Sequence, residues 1–217
     1  MTEELQQLKN TLSERRDVYK LLGSLYQLEV NAASLSALKT MHFPQTSDNE
    51  RLSAGAEGLN RAIARLEPSD LDDLAADYAR TFLSAGIADG PAAYPIESVY
   101  TSRQKLIMQD AYEEMTKILA QHGVAPAHKD LYPDHLGVEF EFMAVLIERT
   151  LKALDEDKTE AASALLDEQK AFLEKHLLGW TGKFFEDQRT VSGTDFYKAL
   201  ADFSEGWLQE DATWLSC

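Results

Sequence analysis

Apolar positions along the chain recur with the spacing of an α-helix. In the first segment the steps between apolar side chains are three, four or seven residues, at Leu5, Leu8, Leu12, Tyr19, Leu22 and Tyr26. Such steps place the side chains on one face of a helix. The pattern therefore predicts one long amphipathic helix near the start of the chain.

The same periodicity continues along the rest of the sequence. Helices are predicted over 34–41, 50–66, 69–86, 102–122 and 159–180, and from 134 and 194 onwards. Ser69, Ser102 and Asp134 are the predicted N-caps, because short polar side chains accept hydrogen bonds from first-turn N–H groups. The helix that starts at 134 is apolar nearly all round, which predicts a central, buried position.

Composition supports a helical fold. The chain has 217 residues, with 30 Leu and 27 Ala against 7 Val and 6 Ile. Leu and Ala favour helices and β-branched residues favour strands, and no alternating apolar–polar run is present. We therefore predict an all-α fold, organised as a single-domain helical bundle over 1–217.

One loop interrupts the helical pattern most clearly. Residues 86–97 contain two Gly and two Pro, which break regular elements. This loop is a candidate hinge, and exchange of helices about it would produce a homodimer. The sequence leaves monomer and dimer both open.

Acidic residues outnumber basic ones. Lys and Arg number 21 and Asp and Glu number 37, which gives a net charge of −16 at pH 7. Nucleic acids and anionic membrane surfaces both require a cationic face, so neither is an expected partner. An acidic protein instead favours cationic partners, either basic peptides or metal ions.

The sequence also predicts a cytoplasmic location. Cys217 is the only cysteine, so neither an internal disulfide nor a cysteine-based zinc site is expected. The first residues are acidic, unlike a secretory signal, and no apolar run has the length of a membrane span. Arg15 and Arg16 are followed closely by Asp17 and Lys20, so the arginine pair is interpreted as solvated helix residues rather than a targeting signal.

The residues with the most chemical character lie at the start of the helix at 134. Asp134 and His135 follow Pro133, and Glu139 lies four residues beyond His135 on the same helix face. One hypothesis is that the Asp–His pair grips a cationic or hydrogen-bonding ligand. The alternative is an N-cap aspartate beside a histidine that the fold itself satisfies.

A helical metal-dependent enzyme is a further alternative, with Asp134, His135, Glu139 and His128 as its ligands. Helical di-iron sites need Glu-x-x-His on two helices, and this chain has no such motif. Signatures of nucleophilic hydrolases, zinc proteases and P-loop proteins are also missing. We therefore expect no metal, no cofactor and no catalytic residue.

Four segments go beyond general helical character. They read RDVYKLLGSLY at 16–26, YARTFL at 78–83 with YPIESVY at 94–100, PDHLGVEFEFM at 133–143, and FLEKHLLGW at 172–180 with FY at 196–197. In this order and spacing they resemble the TorD/DmsD/NarJ family of redox-enzyme maturation chaperones. The resemblance covers the chain from about residue 15 to residue 208.

The resemblance implies an all-helical, non-catalytic protein. Members of this family bind the twin-arginine signal peptide of a molybdopterin oxidoreductase and delay its export until the cofactor is inserted. The family's functional positions fall on Lys20, Tyr78, Arg80, Phe82, Ser98, Val99, Tyr100, Asp134 and His135. The enzyme served is left open among the trimethylamine-oxide, dimethyl-sulfoxide, nitrate, selenate and formate oxidoreductases.

The chemistry of such a leader agrees with this set. A cationic segment followed by an apolar one needs carboxylates beside an apolar groove. Asp134 and Glu97 would supply the carboxylates, and an aromatic set would line the groove: Tyr78, Phe82, Tyr94 and Tyr100. Pro95 and Glu139 complete the predicted peptide-binding residues. A helical adaptor without a signal-peptide role remains the alternative among binding proteins.

Overall fold

A computed structural model describes residues 3–44, 47–83 and 92–216. Regular structure in these residues is helical, apart from one isolated antiparallel bridge between Ile96 and His135. The α-helices are α1 (Glu3–Gln27), α2 (Ala32–Thr40), α3 (Glu50–Arg65), α4 (Leu71–Leu83), α5 (Glu97–Thr101), α6 (Asp110–Gln121), α7 (Leu136–Asp155), α8 (Thr159–Phe172), α9 (Leu178–Val191) and α10 (Asp195–Trp214). A 3₁₀ turn, Pro68–Asp70, precedes α4, and a π-helical turn, Leu173–Leu177, follows α8. The predicted all-α class is confirmed.

The chain forms two compact units. The first unit comprises Met1–Gln27, Ile96–Gly179 and Asp211–Cys217, and the second comprises Leu28–Pro95 and Trp180–Glu210. The single domain over 1–217 and the hinge at 86–97 stay predictions, and residues 86–91 lie outside the described part of the chain. Among the described residues, none of the helices combines the length and apolar character needed to cross a membrane.

Helix α7 forms the centre of the first unit, as its apolar pattern predicts. Of its 20 residues, 13 are buried. Helix α1 packs along it, with the rings of Tyr19 and Tyr26 lying 5.9 and 5.8 Å from Phe140. A Cβ atom at Gly137 would come within 2.9 Å of the Gly23 carbonyl oxygen, so glycine is what permits this close crossing.

The second unit has an aromatic core. Tyr78 and Phe82 of α4 have ring centroids 5.1 Å apart, and both rings contact Tyr197 of α10. Phe184 of α9 stacks on Phe82 with a centroid separation of 6.2 Å. Burying several aromatic rings in one cluster supplies much of the apolar area that holds a small unit together.

The helix predicted over 102–122 begins only at Asp110, so the first part of that prediction is wrong. Helix α5 ends at Thr101 and α6 starts at Asp110. Lys105 and Met108 between them have φ angles of 53° and 58°, which an α-helix does not allow. Ser102 accepts the Leu106 N–H at 3.2 Å, so its side chain closes a turn instead of capping a helix.

Arg15 is buried, which corrects its interpretation as a solvated residue. Its guanidinium donates to Asp211 Oδ2 at 3.0 Å and to Gln169 Oε1 at 2.8 Å. The same group lies 4.2 Å from the centroid of the Trp214 ring, and the Tyr19 hydroxyl donates to Asp211 at 2.7 Å. Because its partners come from α8 and α10, periodicity within α1 does not show that Arg15 is internal. Arg16 is half-buried and bonds Glu148 at 3.1 Å.

Candidate functional site

The start of α7 differs from the predicted Asp134 cap. His135 is the N-cap, and its Nδ1 accepts the Gly137 N–H at 3.0 Å. Asp134 Oδ2 instead accepts the Ser98 N–H at 3.0 Å and the Ser98 hydroxyl. Asp134 therefore holds the first turn of α5, 36 residues earlier in the chain, rather than its own helix. The cap predicted at Ser69 is also wrong. Glu67 is the N-cap of the 3₁₀ turn before α4, and its N–H donates to Asp70 Oδ2 at 2.9 Å.

The Asp134 carboxylate is buried and is hydrogen-bonded through Oδ2. Its side chain has no exposed surface, and Oδ1 has no hydrogen-bond partner among the residues that the structure describes. Burial raises the pKa of Asp134, because a charged carboxylate loses its hydration there, and the Ser98 hydrogen bonds offset this only in part. The Ser98 oxygen also accepts the Gln109 N–H at 3.2 Å, which links Asp134 to the loop before α6.

His135 is buried and neutral. Burial lowers its pKa from 6.5 to about 4, because the imidazolium would lose its hydration. Nδ1 accepts a backbone N–H, so the neutral ring carries its proton on Nε2. With Asp134, His135 and Glu139 all buried, ligand contact by these three side chains stays a prediction that needs the site to open.

Glu97 belongs to a second polar cluster in the first unit, in which Glu97 and His176 are buried. Its Oε2 lies 2.9 Å from His176 Nδ1, and His176 Nε2 lies 3.9 Å from Glu114. Lys175 pairs with Glu114 at 2.7 Å, and this hydrogen bond lowers the pKa of Glu114. The π-helical turn places Lys175 and His176 here. Sequence reasoning missed His176, although it stands in one of the four family-like segments.

The predicted residues in the second unit serve mainly as core. Tyr78 and Phe82 are buried in the aromatic cluster, and burial raises the pKa of the Tyr78 hydroxyl. Arg80 bonds Asp77, one turn earlier on α4. Tyr94 is exposed, whereas Pro95 is buried. The aromatic side chains of this unit that were expected to line one groove are thus divided between packing and surface positions.

Asp77 organises the polar part of the second unit. Its carboxylate accepts the N–H groups of Gly193 and Thr194 at 2.9 and 2.7 Å, and the Thr194 hydroxyl at 2.6 Å. Burial alone would raise its pKa, but these hydrogen bonds and the one from Arg80 outweigh burial, and the pKa of Asp77 is lowered. Asp77 was not among the predicted residues, because its partners Gly193 and Thr194 lie 116 and 117 residues later.

An open groove of about 380 Å³ lies within the first unit, beside Lys20. Lys20, Glu141 and Glu148 are its charged residues, and Lys20 Nζ lies 3.9 Å from a Glu148 oxygen. The rest of the lining is apolar: Leu119, Val124, Ala125, Pro126, Val138, Phe142, Ala144 and Val145. Only Lys20 of this lining was predicted. The groove was missed because its walls come from four separate segments of the chain.

The predicted peptide-binding residues therefore divide between the units. Seven lie in the first unit: Lys20, Glu97, Ser98, Tyr100, Asp134, His135 and Glu139. Five lie in the second unit: Tyr78, Arg80, Phe82, Tyr94 and Pro95. Within the first unit, Ser98 and Asp134 are in direct contact, while Lys20 lies on the groove. The described residues include no group of three or more His, Cys, Asp or Glu arranged to hold a metal ion.

Several proteins are similar to this chain in sequence or in structure. Sequences named "Chaperone protein TorD" from Vibrio parahaemolyticus and Vibrio cholerae are 27% and 29% identical, covering 97% and 95% of this chain and 99% and 94% of their own lengths. A TorD from Photobacterium profundum is 31% identical over 66% of this chain and 64% of its own length. A redox enzyme maturation protein of known structure from Archaeoglobus fulgidus covers 88% of this chain and 92% of its own, with a TM-score of 0.50 and 16% identity, and so shares the fold.

The sequence model of the family described as nitrate reductase delta subunit matches residues 46–186. That span is more than half of the chain, and it includes the segments at 78–83, 94–100, 133–143 and 172–180. The resemblance drawn from those segments is confirmed: the chain belongs to the TorD/DmsD/NarJ family of redox-enzyme maturation chaperones, which is a family of chaperones and not of enzymes.

Proposed function

We propose that this chaperone works in the cytoplasm, where it binds the twin-arginine signal peptide and the apo form of a molybdopterin oxidoreductase. Binding delays export until the cofactor is inserted. Membership of a family whose relatives are named chaperones supports the general role. The observation that carries the finer proposal is the groove of the first unit, where carboxylates stand at the edge of an apolar lining.

The groove suits the apolar part of a twin-arginine leader in size and chemistry. A volume of about 380 Å³ lies in the usual range for ligand pockets, about 300–1,000 Å³, and holds a few aliphatic side chains rather than a whole peptide. Burying apolar area contributes about 25 cal/mol per Å². The cost of ordering the peptide offsets part of this gain, so we expect binding in the micromolar range or tighter.

The charged residues of the groove suggest which carboxylates would bind the two arginines of the leader. Glu148 is already paired with Arg16 at 3.1 Å and lies near Lys20 at 3.9 Å. A guanidinium binds a carboxylate through two parallel hydrogen bonds, which an ammonium cannot do. A leader arginine would therefore displace Lys20 from Glu148, while Glu141 offers a second carboxylate.

Titration of a leader peptide containing Arg-Arg-x-Phe-Leu into the purified chain tests this proposal. Val145→Asp places a charge on the apolar wall and should weaken binding about tenfold or more, equivalent to about 1.4 kcal/mol. Leu28→Asp is the matched control, since Leu28 is an exposed residue of the second unit and outside the groove. Equal affinity of both variants, with the helical circular dichroism of the parent, would refute the groove as the leader site.

Two further readouts separate this function from a general adaptor. Replacing both leader arginines by lysine should weaken binding, and added salt should weaken the parent complex, because the ionic contacts are partly exposed. A helical adaptor without a signal-peptide role would bind the arginine, lysine and alanine peptides equally well.

A further inference from the structure

The loop between α5 and α6 exposes three consecutive aliphatic side chains. Leu106, Ile107 and Met108 are 53%, 40% and 55% exposed. Scattered exposed aliphatics are ordinary on a protein surface, but three together on one loop form a small apolar patch. The patch lies in the first unit and none of its residues lines the groove.

The loop is held in place by its own hydrogen bonds. The Gln109 side chain donates to the carbonyl oxygens of Ile107 and Met108 at 2.9 and 3.2 Å. The Gln109 N–H donates to the Ser98 oxygen at 3.2 Å, and Ser98 is itself bonded to the buried Asp134. The aliphatic residues are thus presented on a fixed backbone, which lowers the entropy cost of docking.

Methionine at position 108 is unfavourable for the backbone of a loop that only connects two helices. Its φ angle of 58° lies in the left-handed region, where glycine is preferred over a long side chain. A residue other than glycine is strained in this conformation. Since the Met108 side chain is mostly exposed, little packing within the chain offsets that cost.

Two cations accompany the patch. Arg103 and Lys105 are exposed, and neither forms an ion pair within the described part of the chain. The loop is therefore locally basic on a protein whose net charge is −16. A cationic leader would be repelled here, whereas an apolar recess bordered by carboxylates on a partner would be attracted.

We propose that residues 103–108, the 103–108 loop, dock on an apolar, acid-edged recess of the cofactor-free catalytic subunit. The contact is separate from leader binding, and the identity of this partner rests on the proposed function. A membrane surface fits less well, since two cations attract an anionic bilayer only weakly, and the remaining acidic surface is repelled by it. Two contacts on one client raise the combined affinity through effective concentration.

Binding of leaderless catalytic subunits tests this proposal independently of the leader. The probes are the trimethylamine-oxide, dimethyl-sulfoxide, nitrate, selenate and formate oxidoreductase subunits, made without their leaders in a host that cannot synthesise molybdopterin. We expect at least one to bind the parent chain. Met108→Glu should weaken that complex about tenfold or more, and leave the affinity for the leader peptide unchanged. Met41→Glu is the matched control, since Met41 is also about half exposed but lies in the second unit.

Met108→Gly separates a docking role from a structural one. We expect equal or higher thermal stability, because glycine removes the cost of the positive φ angle, together with weaker binding of the leaderless subunit. Binding unchanged in both Met108 variants would overturn the proposal, as would the absence of any leaderless complex with the parent. If Met108→Glu weakened binding only to vesicles of anionic lipid and not to any leaderless subunit, the loop would contact a membrane and the proposal would be overturned. Failure of the leader titration alone would refute the leader-binding part of the proposed function and leave the subunit contact standing.

Discussion

Each unit buries an aspartate that hydrogen-bonds a distant segment of the chain, but the two carboxylates differ in how many donors surround them. In the second unit Asp77 accepts hydrogen bonds at both oxygens, from Gly193, Thr194 and Arg80. In the first unit Asp134 is bonded through Oδ2 to Ser98, while Oδ1 has no partner in the described part of the chain. The pKa is accordingly lowered at Asp77 and raised at Asp134.

The difference indicates that the Asp77 charge stabilises the fold, whereas the Asp134 charge lowers its stability. A buried carboxylate with enough donors contributes to stability at neutral pH, whereas one with an unpartnered oxygen reduces it. Such a cost persists where the group has another use. In our proposals, Asp134 holds Ser98, whose hydroxyl oxygen accepts the N–H of Gln109, the residue that follows the 103–108 loop.

The largest expected effect comes from removing one charge in each unit. Asp77→Asn replaces an acceptor with an NH₂ group that faces existing donors, so the free energy of unfolding should fall by about 3 kcal/mol or more. Asp134→Asn retains one accepting oxygen toward Ser98 and removes a charge that is unfavourable there, so its change should stay within about 1 kcal/mol. Urea denaturation at pH 7 measures both. Equal losses would mean that the two carboxylates are equivalent.

The next effect is the dependence of stability on pH at His135. Its pKa is about 4 in the folded chain against 6.5 unfolded, so the unfolded state takes up a proton first as the pH falls. The contribution of His135 to the free energy of unfolding should therefore be fully present above pH 6.5. It should be lost as the pH falls toward 4, by up to about 3 kcal/mol. Asp134 opposes this at the acid end, because its raised pKa lets the folded state bind a proton first.

His135→Asn tests that assignment. Asparagine retains an N-cap acceptor for the Gly137 N–H but does not titrate, so the slope of stability between pH 6.5 and 4 should flatten while stability at pH 7 changes little. Chemical denaturation across this pH range provides the measurement. An unchanged slope would place the titrating group elsewhere.

The smallest effect compares how α7 and α10 begin. His135→Ala removes the N-cap acceptor of α7 and should cost about 1 kcal/mol at pH 7. Thr194→Ala removes a hydroxyl that bonds Asp77 at 2.6 Å, but two backbone N–H donors to that carboxylate remain, so we expect about 1 kcal/mol or less. A much larger loss at Thr194 would show that the second unit depends on this one hydroxyl.

The sequence by itself determined the helices and the family. The stripe along α1, the apolar pattern of α7 and the excess of Leu and Ala are local properties, because helical periodicity is set by neighbours three and four residues apart. The four ordered segments were sufficient to identify the family that the sequence model confirms. The non-helical connection over 102–109 was missed, because its two positive φ angles leave no periodic signal.

Only the tertiary structure decided the partners of the polar residues. The Asp134–Ser98, Glu97–His176 and Asp77–Gly193 pairs span 36, 79 and 116 residues, and Arg15 meets Asp211 across 196. Nothing local shows whether a charged side chain on a helix faces water or a buried partner, since both place it at the same spacing. The groove beside Lys20 likewise exists only where separate segments of the chain meet.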